Sequence, residues 1–216
     1  ELTPMQRWHA KADVASIRLR HKPEWWIEGI LPQGALVFVT GREASGKSHL
    51  VLSWLAHLNA GSRWNGRETR RASVAYLGLE GDANATLARV DANAERYGFV
   101  LDYTPQRFAW LESFDYRDRN QMLEMVAAVE AGLEVVVIDT LARLAGERNL
   151  KEQSEVAWIP DFARELQKIN PELSVVIVAH ATKTDDSGIS GSVQLNGMAD
   201  IIWRMEKKTE SYKANL

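Results

Sequence analysis

Four short runs of this chain are apolar almost without interruption, and each closes on a polar residue. They are GALVFVT (34–40), SVAYLGLE (73–80), EVVVIDT (134–140) and SVVIVAH (174–180). All are rich in Val, Ile, Leu and Tyr. Near-continuous apolarity, rather than alternation, marks strands covered on both faces, the condition of a parallel sheet between helical layers. ADIIWRME (199–206) reads as a fifth strand and RFAWLES (107–113) as a weaker sixth.

Helical patterns lie between these runs. Leu50, Trp54, Leu55 and Leu58 recur at three and four within 47–59, as do Leu87, Val90, Ala94 and Tyr97 within 83–97. Residues 120–132 carry Met122, Met125 or Val126, and Val129 on one side and stop at Gly132, a normal helix ending. The stretch 154–169 is helical in period, with Pro160 expected to start, kink or split it. Strand–helix alternation of this kind predicts an α/β fold of three layers around a mainly parallel, twisted sheet with right-handed crossovers. Residues 1–30 read as an N-terminal arm or small helical appendage, and 31–216 as the core.

Composition narrows the functional classes. The chain has 216 residues, 45% hydrophobic and 25% charged, which suits one packed domain rather than disorder. No apolar run approaches the roughly 18 residues of a membrane span, and the charged start does not read as a signal peptide; a cytoplasmic location is expected. Without cysteine there are no disulfides and no thiolate metal sites. The net charge of −3 gives no support to attraction for nucleic acid over the whole surface, so any such contact has to rely on local loops.

The stretch TGREASGKSHL (40–50) follows the first strand and opens the first long helix. Its pattern, Gly41-x-x-x-x-Gly46-Lys47-Ser48, is that of a phosphate-gripping loop in the expected strand–loop–helix setting. Backbone N–H groups from Gly41 through Ala44, Ser45, Gly46, Lys47, Ser48 and His49 would curl round the phosphates of ATP. Glycine permits close approach and positive φ. Lys47 would reach the β- and γ-phosphates, the Ser48 hydroxyl would ligate Mg²⁺, and the helix N-terminus adds partial positive charge.

The other strand ends supply the remaining chemistry. Asp139 closes LEVVVID at the carboxyl edge of the sheet, where it can support the metal or cap the next helix. Glu80, ending the second strand, is the candidate for orienting or deprotonating the attacking water. Asp82, after Gly81, reads as a helix cap for 83–97. His180 closes the fourth strand, either sensing the γ-phosphate or serving structure. Trp25 and Trp26 suggest packing or stacking, Arg89 an approach to base or ribose or a surface position, and RWNGRETRR (63–71) a solvated basic loop or a phosphate-backbone contact.

Taken in order, EWWIEGILPQGALVFVTGREASGKS, VAYLGLEGD, EVVVIDTLARL, VVIVAHATK and GSVQLNGMADIIWRME resemble RecA-like ATPases. The likeness is greatest to the branch of RepA-type hexameric replicative helicases, and it spans roughly 24–206. The resemblance implies a RecA-like core with Gly41, Gly46, Lys47 and Ser48 on phosphate and Mg²⁺, Glu80 as catalytic glutamate, Asp139 as the metal-side aspartate and His180 as sensor. It implies a hexameric ring with ATP between neighbouring copies and single-stranded DNA in the pore, contacted by the loops after Asp139 and His180.

Such relatives carry RGS where this chain reads Ser190-Gly191-Ser192. That arginine completes the neighbouring site and is worth roughly a thousandfold in turnover. Its loss leaves three options: another cation (Lys183, Arg204, Lys207 or Lys208), slow hydrolysis, or ATP used as an assembly switch. The loop charges are mixed: Arg143, Arg148 and Lys151 stand against Glu147, Glu152 and Glu155, and Lys183 against Asp185 and Asp186. A small-molecule kinase is disfavoured, since its cationic lid would have to come from 63–71. The resemblance also implies further strands beyond residue 216, without which a sheet edge would need cover from the N-terminal arm or a partner.

Overall fold

The computed structural model describes residues 3–11, 24–146, 156–181 and 195–206. Helix α1 (Pro4–Lys11) comes first, followed by a two-stranded antiparallel ribbon, β1 (Trp25–Ile27) with β2 (Leu31–Pro32). The core then runs β3 (Leu36–Gly41), α2 (Lys47–Ala60), β4 (Val74–Gly78), α3 (Ala83–Tyr97), β5 (Phe108–Leu111) and α4 (Arg119–Glu130). It continues with β6 (Val135–Asp139), α5 (Leu141–Ala145), α6 (Trp158–Ile169), β7 (Ser174–His180), α7 (Leu195–Met198) and β8 (Ile201–Met205).

Six strands form one parallel sheet in the order β5-β4-β6-β7-β3-β8. All six strands read from the sequence are present, the weaker sixth as the edge strand β5. The apolar runs are explained by two cores, one on each face. Leu36, Phe38, Val136, Ile138, Val175 and Ile177 point to the side of α4 and α6, where Met125, Val129, Phe162 and Leu166 meet them. Val37, Val39, Val135, Val137, Val176 and Val178 point the other way, against Val51, Leu52 and Leu55 of α2 and Val90 of α3. Each strand is split by its period of two, so both sets of side chains must be apolar.

Pro160 is the third residue of α6, within the first turn, where its missing N–H costs no intrahelical hydrogen bond. Of the tryptophan pair, Trp26 is used for packing and Trp25 is half-buried. Trp26 is fully buried, and its indole Nε1 donates to Ser174 Oγ at 3.1 Å and Glu172 O at 3.2 Å. Trp203 on β8 donates to Ile30 O at 3.1 Å and ties the ribbon to the sheet.

Because every strand runs the same way, Gly41, Gly78, Asp139, His180 and Met205 all end at one edge. β7 lies between β3 and β6, so the loop after β3 and the end of β6 stand two strands apart, about 9–10 Å. That gap positions the site.

Candidate active site

The two loop glycines have different jobs. A Cβ on Gly41 would lie 2.5 Å from Met205 O, so glycine there lets β8 pack against the start of the loop. Gly46 has φ 95° and caps α2 in the left-handed region that other residues avoid. Ala44 also takes positive φ, at 56°. With no side-chain cap, α2 leaves its first backbone N–H groups for another acceptor.

A cleft of about 290 Å³ opens beside this loop. It gathers Ala44, Gly46, Lys47, Ser48 and His49 from the loop and α2, Glu80 from the bend after β4, Asp139 from β6 and His180 from β7. Gly41 and Ser45 do not line it. The Ser45 amide is bonded within the loop to Arg42 O, at 3.2 Å. The strand before Glu80 ends at Gly78, two residues earlier than expected, which puts Glu80 on a bend rather than in the sheet.

Lys47 is buried at the floor, donating through Nζ to Gly41 O at 3.0 Å and Arg42 O at 2.8 Å. Desolvation pulls its pKa below the ordinary lysine value, and the charges of Asp139, Glu43 and Glu80 oppose that pull. Asp139, also buried, accepts a 2.7 Å hydrogen bond from the Tyr76 phenol. Burial first, then the charge of Asp139 and its hydrogen bond, push the phenol's ionisation well above its usual range, so it stays a donor. Glu80 is held more loosely: Thr140 Oγ1 donates to its Oε2 at 3.5 Å, and Arg143 Nε stands 3.9 Å away. His180 pairs in register with Gly41, and the Ala181 amide donates to Gly41 O at 3.1 Å.

Among the described residues no three His, Asp or Glu side chains cluster to hold a metal unaided. One carboxylate, one hydroxyl and room for phosphate oxygens form instead the hard-oxygen set that suits a shared Mg²⁺. The donors Ser48 and Asp139 fit that ion, with Lys47 beside them as the fixed charge for phosphate.

Asp82 is a helix cap, its Oδ1 accepting from Ala85 N at 2.7 Å. Arg89 is exposed on α3, a surface position that also borders the cleft. The basic loop is occupied with internal ties. Arg63 pairs with Glu68, Arg67 donates to Glu28 O, Arg70 lies 3.4 Å from both Glu24 and Glu172, and Arg71 bonds Asp102 and Asn59 O. Arg204 is exposed on β8 and does not line the cleft. Ser190, Lys183, Lys207, Lys208, Arg148 and Lys151 lie outside the described residues. Sequence reasoning missed Tyr76 and Thr140; the signal for Tyr76 was a lone hydroxyl in an apolar strand, two residues before a glycine.

An AAA domain family model, AAA_25, matches residues 5–186. The chain belongs to that family. Among solved structures, the KaiC-like protein PH0186 from the hyperthermophilic archaeon Pyrococcus horikoshii OT3 is similar. The TM-score is 0.51 at 17% identity, over 82% of this chain and 74% of that one, a likeness of fold. No curated protein matches. This AAA domain is thus a P-loop ATPase on a RecA-like α/β fold. Among its described residues no helix is long and apolar enough to cross a membrane.

Proposed function

We propose that this AAA domain hydrolyses Mg²⁺-bound ATP in the β3–β6 cleft and uses the cycle to drive a ring-forming motor on single-stranded DNA. The observation that carries the ATPase reading is convergence: Lys47, Ser48, Glu80, Asp139 and His180, from four separate parts of the chain, line one cleft. Lys47 and the free amides of α2 hold the phosphates. Ser48 and Asp139 would hold Mg²⁺, which supplies neutralisation of phosphate charge when bound. Glu80 orients the attacking water and takes its proton, with Thr140 and Arg143 steering its carboxylate. His180, next to the loop in the sheet, reports the phosphate to the segment after β7.

The motor reading rests on the resemblance to RepA-type helicases. The internal ties of residues 63–71 leave DNA contact to the loops after β6 and β7. A second reading, an ATP-gated assembly module with slow turnover, is favoured by Ser190 standing where the family's arginine is expected. Among the described residues, Arg89 borders the cleft and Arg143 stands beside Glu80. ATP turnover measured with and without single-stranded DNA, alongside assembly state by light scattering, separates the two. A motor is stimulated at least several-fold by DNA; a gate assembles on ATP and shows no stimulation.

A further inference from the structure

We propose that Tyr76 is a positioning residue for the metal-side carboxylate. Its phenol occupies Oδ2 of Asp139, stops the carboxylate turning, and leaves Oδ1 as the oxygen offered to a divalent cation.

The arrangement is built by the sheet. In the β4–β6 pairing Gly78 stands opposite Asp139 and Tyr76 opposite Val137. Tyr76 and Asp139 are therefore diagonal neighbours two positions apart on parallel strands, a span of about 8 Å that a tyrosine side chain can bridge. The bridge needs the space beside Gly78: a Cβ there would come within 2.9 Å of Tyr76 Cε1 and 3.0 Å of Trp110 Cζ2. Trp110, opposite Tyr76 on β5, holds the ring from the far side, with centroids 4.7 Å apart and planes tilted by 36°. Tyr76 is only 2% exposed, so water does not compete for its 2.7 Å hydrogen bond. No other side chain among the described residues hydrogen-bonds the Asp139 carboxylate.

Among the described residues the phenol is thus the one side-chain donor that restrains this carboxylate, and it engages Oδ2 rather than Oδ1. Without the phenol it could rotate, and a buried carboxylate oxygen would lose its donor. Outer partners of this kind typically change metal affinity by about 10–100-fold. The effect should therefore appear in the metal-dependent part of nucleotide binding rather than in phosphate holding, which belongs to Lys47 and the loop.

The inference rests on Asp139 serving the metal, and the test separates the two. ADP binding is measured by calorimetry with Mg²⁺ and with the metal chelated, for wild type, Tyr76→Phe and Asp139→Asn. Tyr76→Phe should bind metal-free ADP within about twofold of wild type but lose roughly tenfold of the gain that Mg²⁺ confers. A merely structural role would weaken both conditions alike. Gly78→Ala, whose methyl presses on the ring, should lose the same gain in smaller measure, and it stands in if Tyr76→Phe fails to fold. A full Mg²⁺ gain in a folded Tyr76→Phe, or in Gly78→Ala, overturns the role of Tyr76 while leaving the ATPase reading intact. An undiminished gain in Asp139→Asn removes Asp139 from the metal, and the positioning role falls with it.

Discussion

On the floor of the cleft Lys47 and Asp139 are 6% and 5% exposed, and each is anchored by hydrogen bonds of 3.0 Å or shorter. On the rim the side chains of Glu80 and Arg143 are 49% and 62% exposed, and their closest approach is 3.9 Å. One region is fixed before any substrate arrives; the other is left adjustable. Groups that hold phosphate gain from being pre-organised, because nothing then has to be ordered on binding. A group that handles a proton must fit the geometry of the loaded site, and such contacts commonly tighten only in the complex. Under the proposed roles, the difference in burial is a division between holding and reacting.

The largest effect should come from the rim. Glu80→Gln keeps the shape and removes the proposed base, so turnover should fall by about 10²–10⁴-fold while ATP affinity stays within about threefold. Single-turnover hydrolysis beside equilibrium binding checks both halves. Loss of affinity in place of turnover would make Glu80 part of the floor and dissolve the comparison.

Lys47→Ala should do the reverse. Charge-assisted hydrogen bonds contribute about 1.5–3 kcal/mol each, so affinity should fall by roughly tenfold to a hundredfold or more. Calorimetry with ADP reads this without reference to hydrolysis. Unchanged affinity would mean the α2 amides grip the phosphates alone.

A smaller effect concerns stability without nucleotide. Desolvation lowers the folded pKa of Lys47 below the ordinary 10.5, against the opposing charges of Asp139, Glu43 and Glu80. Between the two values the unfolded chain binds more protons than the folded one, so this group makes stability rise with pH up to about 10.5. The full penalty is present at pH values below the folded pKa. Urea midpoints taken from neutral to alkaline pH should show that rise in wild type and less of it in Lys47→Met. Parallel profiles would mean the burial of the ammonium costs nothing.

The two regions were also unequally legible in the sequence. The floor follows from patterns: a glycine–lysine spacing between strand and helix, and an aspartate closing an apolar run. Each is a local signal, and parallel pairing brings them together. The rim and its supports depend on register and on side-chain reach. Tyr76 looked like one more apolar strand residue because its partner is 63 positions away. Arg143 looked like a loop cation until α5 turned it towards Glu80. Arg63, Arg67, Arg70 and Arg71 made the most basic stretch of the chain, yet folding supplies each with a carboxylate or carbonyl, and composition alone could not show those pairings. The strand boundary before Glu80 differs because the apolar run continues through Leu79, whose amide makes one last bond to β6, to Asp139 O at 2.9 Å, before the chain bends.

The smallest effect sharpens the boundary between the regions. Arg143 and Glu80 form an exposed pair, and such pairs contribute about 0–1 kcal/mol. If Arg143 only steers the carboxylate, Arg143→Ala should slow turnover by about two- to threefold and leave affinity alone. The difference should shrink as salt is raised towards 1 M, where charges are screened within roughly 3 Å. A loss greater than about tenfold that persists in salt would mean the guanidinium meets the substrate in a closed cleft, because only a water-excluded contact resists screening. In that case the rim is as pre-organised as the floor once ATP is bound, and the contrast between them describes the empty protein only.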